Sequence, residues 1–205
     1  MLNLRPAVAR VAEPLAASLL RLGVTPDAVT IAGTVCAVAG ALSLFSTGHF
    51  ALGTLLVTLS VLTDAVDGTM ARQLATRNGP SGPFGAFLDS TMDRLADGAI
   101  FLGIALWYAG PGQSRLLVGV AVAALILGAV TSYAKARAQS VGLSCDVGLL
   151  ERAERLIIVL VGTGLTGVFG LTAALPVALW LLAIGSGVTV VQRLVEVHRQ
   201  AVQAA

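Results

Sequence analysis

Six stretches of this chain, at 27–47, 51–75, 85–108, 115–139, 150–170 and 173–198, keep an apolar majority over roughly twenty residues or more. A helix rises 1.5 Å per residue, so a stretch of that length reaches across a hydrocarbon core of roughly 30 Å. The rest of the chain offers no soluble domain to compensate: 56% of its 205 residues are hydrophobic, 12% are charged, and the mean hydropathy is +0.88. Long Ala, Leu, Val and Gly runs favour helices over barrel strands, which alternate over short segments. The 23 glycines suit close helix contact in lipid. The expected fold is an all-α integral membrane protein with six transmembrane helices.

Residues 2–21 scatter polar positions among apolar ones and include Pro6 and Pro14, which suggests an amphipathic helix lying at the interface. Residues 23–27 make a turn, with Thr25 as helix cap and Pro26 at the first helical position. The expected organisation is therefore an interfacial helix over 1–22 and a six-helix domain over 23–205. Residues 78–83, Asn-Gly-Pro-Ser-Gly-Pro, form a flexible linker between the second and third spans. Arg10, Glu13 and Pro14 interrupt the start, against a cleavable signal peptide. Six spans place both ends on one side, with Arg5, Arg10, Arg21, Arg72, Arg77, Lys135, Arg137, Arg152, Arg155, Arg193 and Arg199 toward it and only Arg115 opposite. Positive-inside bias makes that side cytoplasmic. The net charge of +2 gives no reason to expect nucleic acid. Cys36 and Cys145 fit neither a disulfide framework nor a metal motif.

Against this background Asp64, Asp67, Asp89 and Asp93 stand out, because charge within a span is expensive and marks a functional site. Asp64 and Asp67 are three apart and Asp89 and Asp93 four apart, so each pair shares a helical face. Two such faces brought together make a nest of oxygen ligands that calls for divalent cations, the arrangement of two-metal phosphoryl chemistry. Interhelical salt bridges would explain one or two of these charges, not all of them. A small ion transporter or metal-binding membrane protein would also use buried acids. It would not need the bare helix face that Gly68 and Ala71 leave beside Asp67, where a flat ring could lie.

Read in full, the segment is Asp64-x-x-Asp67-Gly68-x-x-Ala71-Arg72, a linker, then Gly85-x-x-x-Asp89-x-x-x-Asp93. It resembles the signature of the CDP-alcohol phosphatidyltransferases, membrane enzymes of phospholipid synthesis. The interval from Gln73 to Phe84 is longer than is usual in that signature, and the surplus falls in the Gly/Pro linker, where insertion costs little. The resemblance implies that Asp64, Asp67 and Asp89 ligate two Mg²⁺ ions, with Mn²⁺ a substitute. Asp93 would help bind the second ion and act as general base toward the acceptor hydroxyl. It also implies CDP-diacylglycerol as donor, the cytosine against Gly68 and Ala71, and room for the nucleotide at Gly85. Arg72 would pair with a substrate phosphate or neutralise an acidic ligand, or else anchor the helix at the interface. A homodimer among membrane lipids is implied in the same way.

A second informative region is Ser132-Tyr133-Ala-Lys135-Ala-Arg137, followed by Glu151-Arg152-Ala-Glu154-Arg155. A neutral acceptor would not require so many cations, whereas fixed Arg and Lys groups satisfy phosphate oxygens. The ordinary alternative is an interfacial charge belt. Both segments are similar to those of actinobacterial family members that use inositol phosphate. That resemblance implies transfer of the phosphatidyl group to inositol 1-phosphate, with Ser132, Lys135, Arg152, Arg155 and, more weakly, Arg193 around the acceptor phosphate. Glycerol 3-phosphate, giving phosphatidylglycerol phosphate, is the nearest rival acceptor. Arg137 would hold lipid headgroups or an acidic side chain. Asp97 either supports the site or pairs with Arg94 or a basic helix.

Overall fold

The computed structural model describes residues 5–78 and 83–203. Among them are α1 (Arg5–Arg21), α2 (Pro26–Gly40), α3 (Phe50–Asn78), α4 (Pro83–Ala109), α5 (Arg115–Ser140), α6 (Arg152–Phe169) and α7 (Ala174–Gln203). Residues 79–82 of the anticipated linker, and residues 1–4 and 204–205, lie outside the described residues. The helix start expected at Thr25 is formed: its hydroxyl accepts from the Ala28 N–H at 3.2 Å, with Pro26 beginning the helix. α2 continues into a π-helical segment, Ala41–Phe45. There the backbone bulges against α4, and Gly103 is bare because an added Cβ would collide with the Ala41 carbonyl.

The expectation of six spans is corrected. Among the described residues four helical stretches are long and apolar enough to cross a membrane: Pro26–Phe45, Phe50–Thr76, Arg115–Ser140 and Ala174–Gln203. α4 and α6 do not qualify. α4 carries Asp89, Asp93, Arg94 and Asp97 within its 27 residues, and α6, only 18 residues long, begins with Arg152, Glu154 and Arg155. The uncharged remainder of each is too short by itself to match a hydrocarbon core. The protein is thus a multi-pass, all-α membrane protein in which two helices belong to the polar site as much as to the apolar bundle.

The helices pack around an apolar core of Phe45, Phe50, Ile100, Ile104, Leu175, Leu179 and Leu182. At one end, edge-on packing of Phe50 against Trp107, with ring centroids 5.5 Å apart, closes the core. α1 lies along the last turns of α3, burying Ala12 and Ala16 against Val66 and Met70. The opposite end collects the start of α2, the end of α3, the start of α4, the end of α5, the start of α6 and the second half of α7. All the candidate site residues fall there.

Candidate active site

Local structure at the starts of α2, α4 and α6 decides which side chains meet. At α6 a reciprocal cap holds the first turn, with the Glu151 N–H donating to Glu154 Oε2 at 3.0 Å. That fixes Arg152 and Arg155, three residues apart, on one face toward α4. α3 supplies Asp64 and Asp67, and α4 supplies Asp89, Asp93 and Asp97 at i, i+4 spacing.

A cleft of about 340 Å³ opens between α2, α3 and α4, lined by Asp27, Thr30, Asp64, Asp67, Gly68, Ala71, Gly85 and Asp89. Asp67 is buried, and its Oδ2 accepts from the Thr30 hydroxyl at 2.5 Å. Gly68 leaves its wall open: a Cβ there would meet only Arg72 Nη1, at 3.6 Å. Beside Gly85 the nearest atom to such a Cβ is Asp27 Oδ1, at 3.8 Å. Arg72 folds back onto its own helix, donating from Nη2 to Thr69 Oγ1 at 2.9 Å, and does not line this cleft.

Asp93 faces the other way, into a crevice it shares with Asp64 and Arg152. Arg152 Nη2 is 2.7 Å from Asp93 Oδ1, while Nη1 and Nε lie 3.7 Å from Asp64 and 3.5 Å from Asp97. One guanidinium therefore stands against three carboxylates. Asp97 also faces Arg94 at 3.6 Å and Arg155 at 3.9 Å, so the α4 stripe pairs with a basic helix as well as with its own neighbour.

Beyond Arg152 lies a second cavity, of about 270 Å³, lined by Ser132, Lys135, Arg152, Arg155 and Arg193 among others. All five expected acceptor-phosphate residues thus meet in one place. Arg155 is buried with Nη1 on Thr131 Oγ1 at 2.9 Å, yet its Nη2 has no hydrogen-bond partner among the described residues. An unmet buried donor costs roughly 1–3 kcal/mol and so favours a ligand that accepts from it. Arg193 is held by the carbonyls of Val147, at 2.9 Å, and Thr131, at 2.5 Å. Lys135 Nζ is 2.6 Å from Asp146 Oδ1, and the Ser132 hydroxyl accepts from Arg94. A larger groove of about 390 Å³ between α4 and α5 shares Ser132 and Arg155 with this cavity. Arg137 stays apart in the last turn of α5, on Ser140 Oγ at 3.2 Å.

The donor set fits a hard divalent cation. Carboxylate oxygens from Asp64, Asp67 and Asp89 surround a cleft with no basic lining side chain among the described residues. They do not form a closed shell: among the described residues no three His, Cys, Asp or Glu side chains gather as a metal site.

The model of the CDP-alcohol phosphatidyltransferase family matches residues 23–191, a span that contains the acidic cleft and every lining residue of the basic cavity except Arg193. The chain belongs to the CDP-alcohol phosphatidyltransferase family. It is 51% identical over 201 residues to the phosphatidylinositol phosphate synthase of Streptomyces avermitilis, covering 95% of this chain and 81% of the relative. The enzyme of the same description from Cutibacterium acnes is 46% identical over 96% of this chain and 97% of its own. Two crystal structures of the Mycobacterium tuberculosis phosphatidylinositol phosphate synthase are similar, each at 47% identity. The one with CDP-DAG bound superposes with a TM-score of 0.87 over 92% of this chain and 94% of that one. The one in complex with manganese and citrate gives 0.85 over 91% and 88%.

In this phosphatidyltransferase the cleft also includes Asp27 and Thr30, which the aspartate motif does not contain. Both sit on one face of α2 and line the acidic cleft, Thr30 binding Asp67 directly. The cap at Thr25 signalled a helix start, and their three-residue spacing was the available clue that the start also faces the cleft. Asp146, which pairs with Lys135 from the loop before α6, carried no such signal.

Proposed function

We infer that this phosphatidyltransferase moves the phosphatidyl group of CDP-diacylglycerol onto an inositol phosphate, releasing CMP. The observation that carries this reading is the adjacency of two unlike cavities. An acidic cleft suited to a cation-bound diphosphate and a basic cavity suited to an acceptor phosphate are bridged by the crevice of Asp64, Asp93 and Arg152. The crystal structures of the mycobacterial relative, with CDP-DAG in one and manganese in another, support the same assignment here.

In detail, Asp64, Asp67, Asp89 and Asp93 would hold two Mg²⁺ ions, for which Mn²⁺ would substitute. Bound there, such ions neutralise the diphosphate oxygens and stabilise CMP as leaving group. Gly68, Ala71 and Gly85 give the nucleotide a wall without side-chain bulk, and Thr30 fixes the carboxylate of Asp67. Arg155, Lys135, Arg193 and Ser132 bind the acceptor phosphate, with Arg152 between the two substrates. That fixes the inositol hydroxyl near Asp93, which takes its proton as the oxygen attacks the phosphorus bearing diacylglycerol. Arg72 contributes by holding the end of α3 rather than by contact with the diphosphate. The charged end, with α1 and the end of α7, lies on the cytoplasmic side by positive-inside bias, and the protein works as a homodimer in the cell membrane.

The test is CMP release by purified protein with CDP-diacylglycerol and Mg²⁺, offered inositol 1-phosphate, glycerol 3-phosphate or free inositol in turn. Release with inositol 1-phosphate alone is the expected result. Selective use of glycerol 3-phosphate would move the chain to phosphatidylglycerol phosphate synthesis.

A further inference from the structure

The basic cavity is rimmed by the loop at 141–151, which joins α5 to α6 and carries a carboxylate, Asp146, directly onto one of the cavity's cations. This loop is not loosely laid. Cys145 is fully buried, the Ser144 N–H and carbonyl both bond Gln200 at 3.0 Å, and the Leu149 and Leu150 N–H groups donate to Gln192 and Thr189 at 2.9 and 3.0 Å. Gly148 has φ +152°, and a side chain there would press against Thr189. The loop is therefore strapped to α7 on both sides of Asp146, and the same strap presents the Val147 carbonyl to Arg193.

The result is a rim whose anion is fixed and whose cation is not. Asp146 is 71% exposed and held in place by its backbone, while Lys135 reaches it on a flexible four-carbon stem. The Asp146 carboxyl lies below the usual carboxylate range because Lys135 donates to it and sits beside it. Exposed pairs of this kind contribute little and exchange readily. A phosphate monoester carries more charge and more acceptor oxygens than a carboxylate. It can therefore draw the lysine from the rim into the cavity, toward Arg155 and Arg193.

We propose that Asp146 is an internal competitor of the acceptor phosphate: it holds Lys135 when the cavity is empty and surrenders it when a phosphorylated acceptor binds. This deepens the functional reading above and rests on it. The inositol phosphate monoester is not consumed in the reaction, so the lipid product leaves with the group that Lys135 grips. Recapture of Lys135 by Asp146 then assists release. Asp146 thereby sets acceptor affinity without touching either substrate.

The experiment compares wild type, Asp146→Asn and Asp146→Glu in detergent, using initial rates and inorganic phosphate as an inhibitor competing with the acceptor. Asp146→Asn should lower the acceptor KM and the inhibition constant of phosphate together, by roughly two- to fivefold, the range of an exposed ion pair. The KM for CDP-diacylglycerol should not move, and Asp146→Glu should behave as wild type. A raised acceptor KM in Asp146→Asn would show that Asp146 positions Lys135 for the substrate and would overturn the proposal. So would unchanged constants in a wild-type enzyme that phosphate does inhibit. If phosphate fails to compete even in wild type, the basic cavity is not the acceptor site, and both readings fall.

Discussion

Arg152 Nη2 lies 2.7 Å from Asp93 Oδ1, joining a residue of the basic cavity to the proposed base of the acidic site. The arginine and the base proposed for the acceptor thus form one ion pair. The contact pairs opposite charges and sets both groups at the boundary between the two cavities. Arg152→Gln should raise the acceptor KM and lower kcat, together costing about 1.5–3 kcal/mol, or roughly ten- to hundredfold in kcat/KM for the acceptor. It should also lower the Mg²⁺ concentration needed for half-activity, because the carboxylates lose their internal cation. Initial rates against acceptor and Mg²⁺ check both. An unchanged acceptor KM would leave Arg152 a structural charge.

Asp67 is buried and bonded to Thr30, so its carboxylate is fixed toward the cleft. Asp67→Asn keeps the shape and removes the charge. It should cut kcat by roughly a hundredfold or more, as loss of a pre-organised electrostatic group does, and weaken Mg²⁺-dependent CDP binding. Thr30→Val, which removes one neutral donor, should cost no more than about 0.5–1.5 kcal/mol of the same quantity. Near-normal turnover and Mg²⁺ response in Asp67→Asn would rule out the cation site.

At Gly68 the open wall permits a graded test. A methyl group there meets only the end of Arg72, so Gly68→Ala should fold and bind CDP-diacylglycerol nearly as wild type. Gly68→Leu projects into the cleft and should weaken CDP-lipid binding severely while acceptor-side constants hold. Equal lipid affinity for all three proteins would place the nucleotide elsewhere.

Arg155 has space because Gly128 lacks a side chain: a Cβ there would approach its Nε to 3.2 Å. Arg155→Ala should raise the acceptor KM far more than the lipid KM, and Arg155→Lys should not restore it, since an ammonium cannot reproduce the bond to Thr131 and still present a second donor. Parallel loss toward both substrates would mark Arg155 as a packing residue of the α4–α5–α6 junction.

Local rules carry far in this chain. The Thr25 cap, the helix boundaries and the pairing of aspartates by three and four all follow from spacing along a helix, and Asp64, Asp67 and Asp89 do line one cleft. Two kinds of fact escape such rules. Span number fails at α4 and α6, where charges reach far enough into each helix that the apolar remainder cannot stand for the whole. Side-chain partners fail wherever they come from another helix: Arg72 turns onto Thr69, Asp93 turns away from Asp67 toward Arg152, and α2 slips Thr30 into the acidic cleft. Those choices depend on how helices pack, which periodicity in one segment does not encode.

The central claim is that the basic cavity selects an inositol phosphate while the acidic cleft holds the CDP-lipid. The most direct measurement offers the purified enzyme CDP-diacylglycerol, Mg²⁺ and an equimolar mixture of inositol 1-phosphate and glycerol 3-phosphate, and identifies the lipid product by mass. Phosphatidylinositol phosphate as the dominant product, lost in Arg155→Ala, is the predicted result. Phosphatidylglycerol phosphate as the dominant product, or a product ratio that simply follows the supplied concentrations, would contradict it.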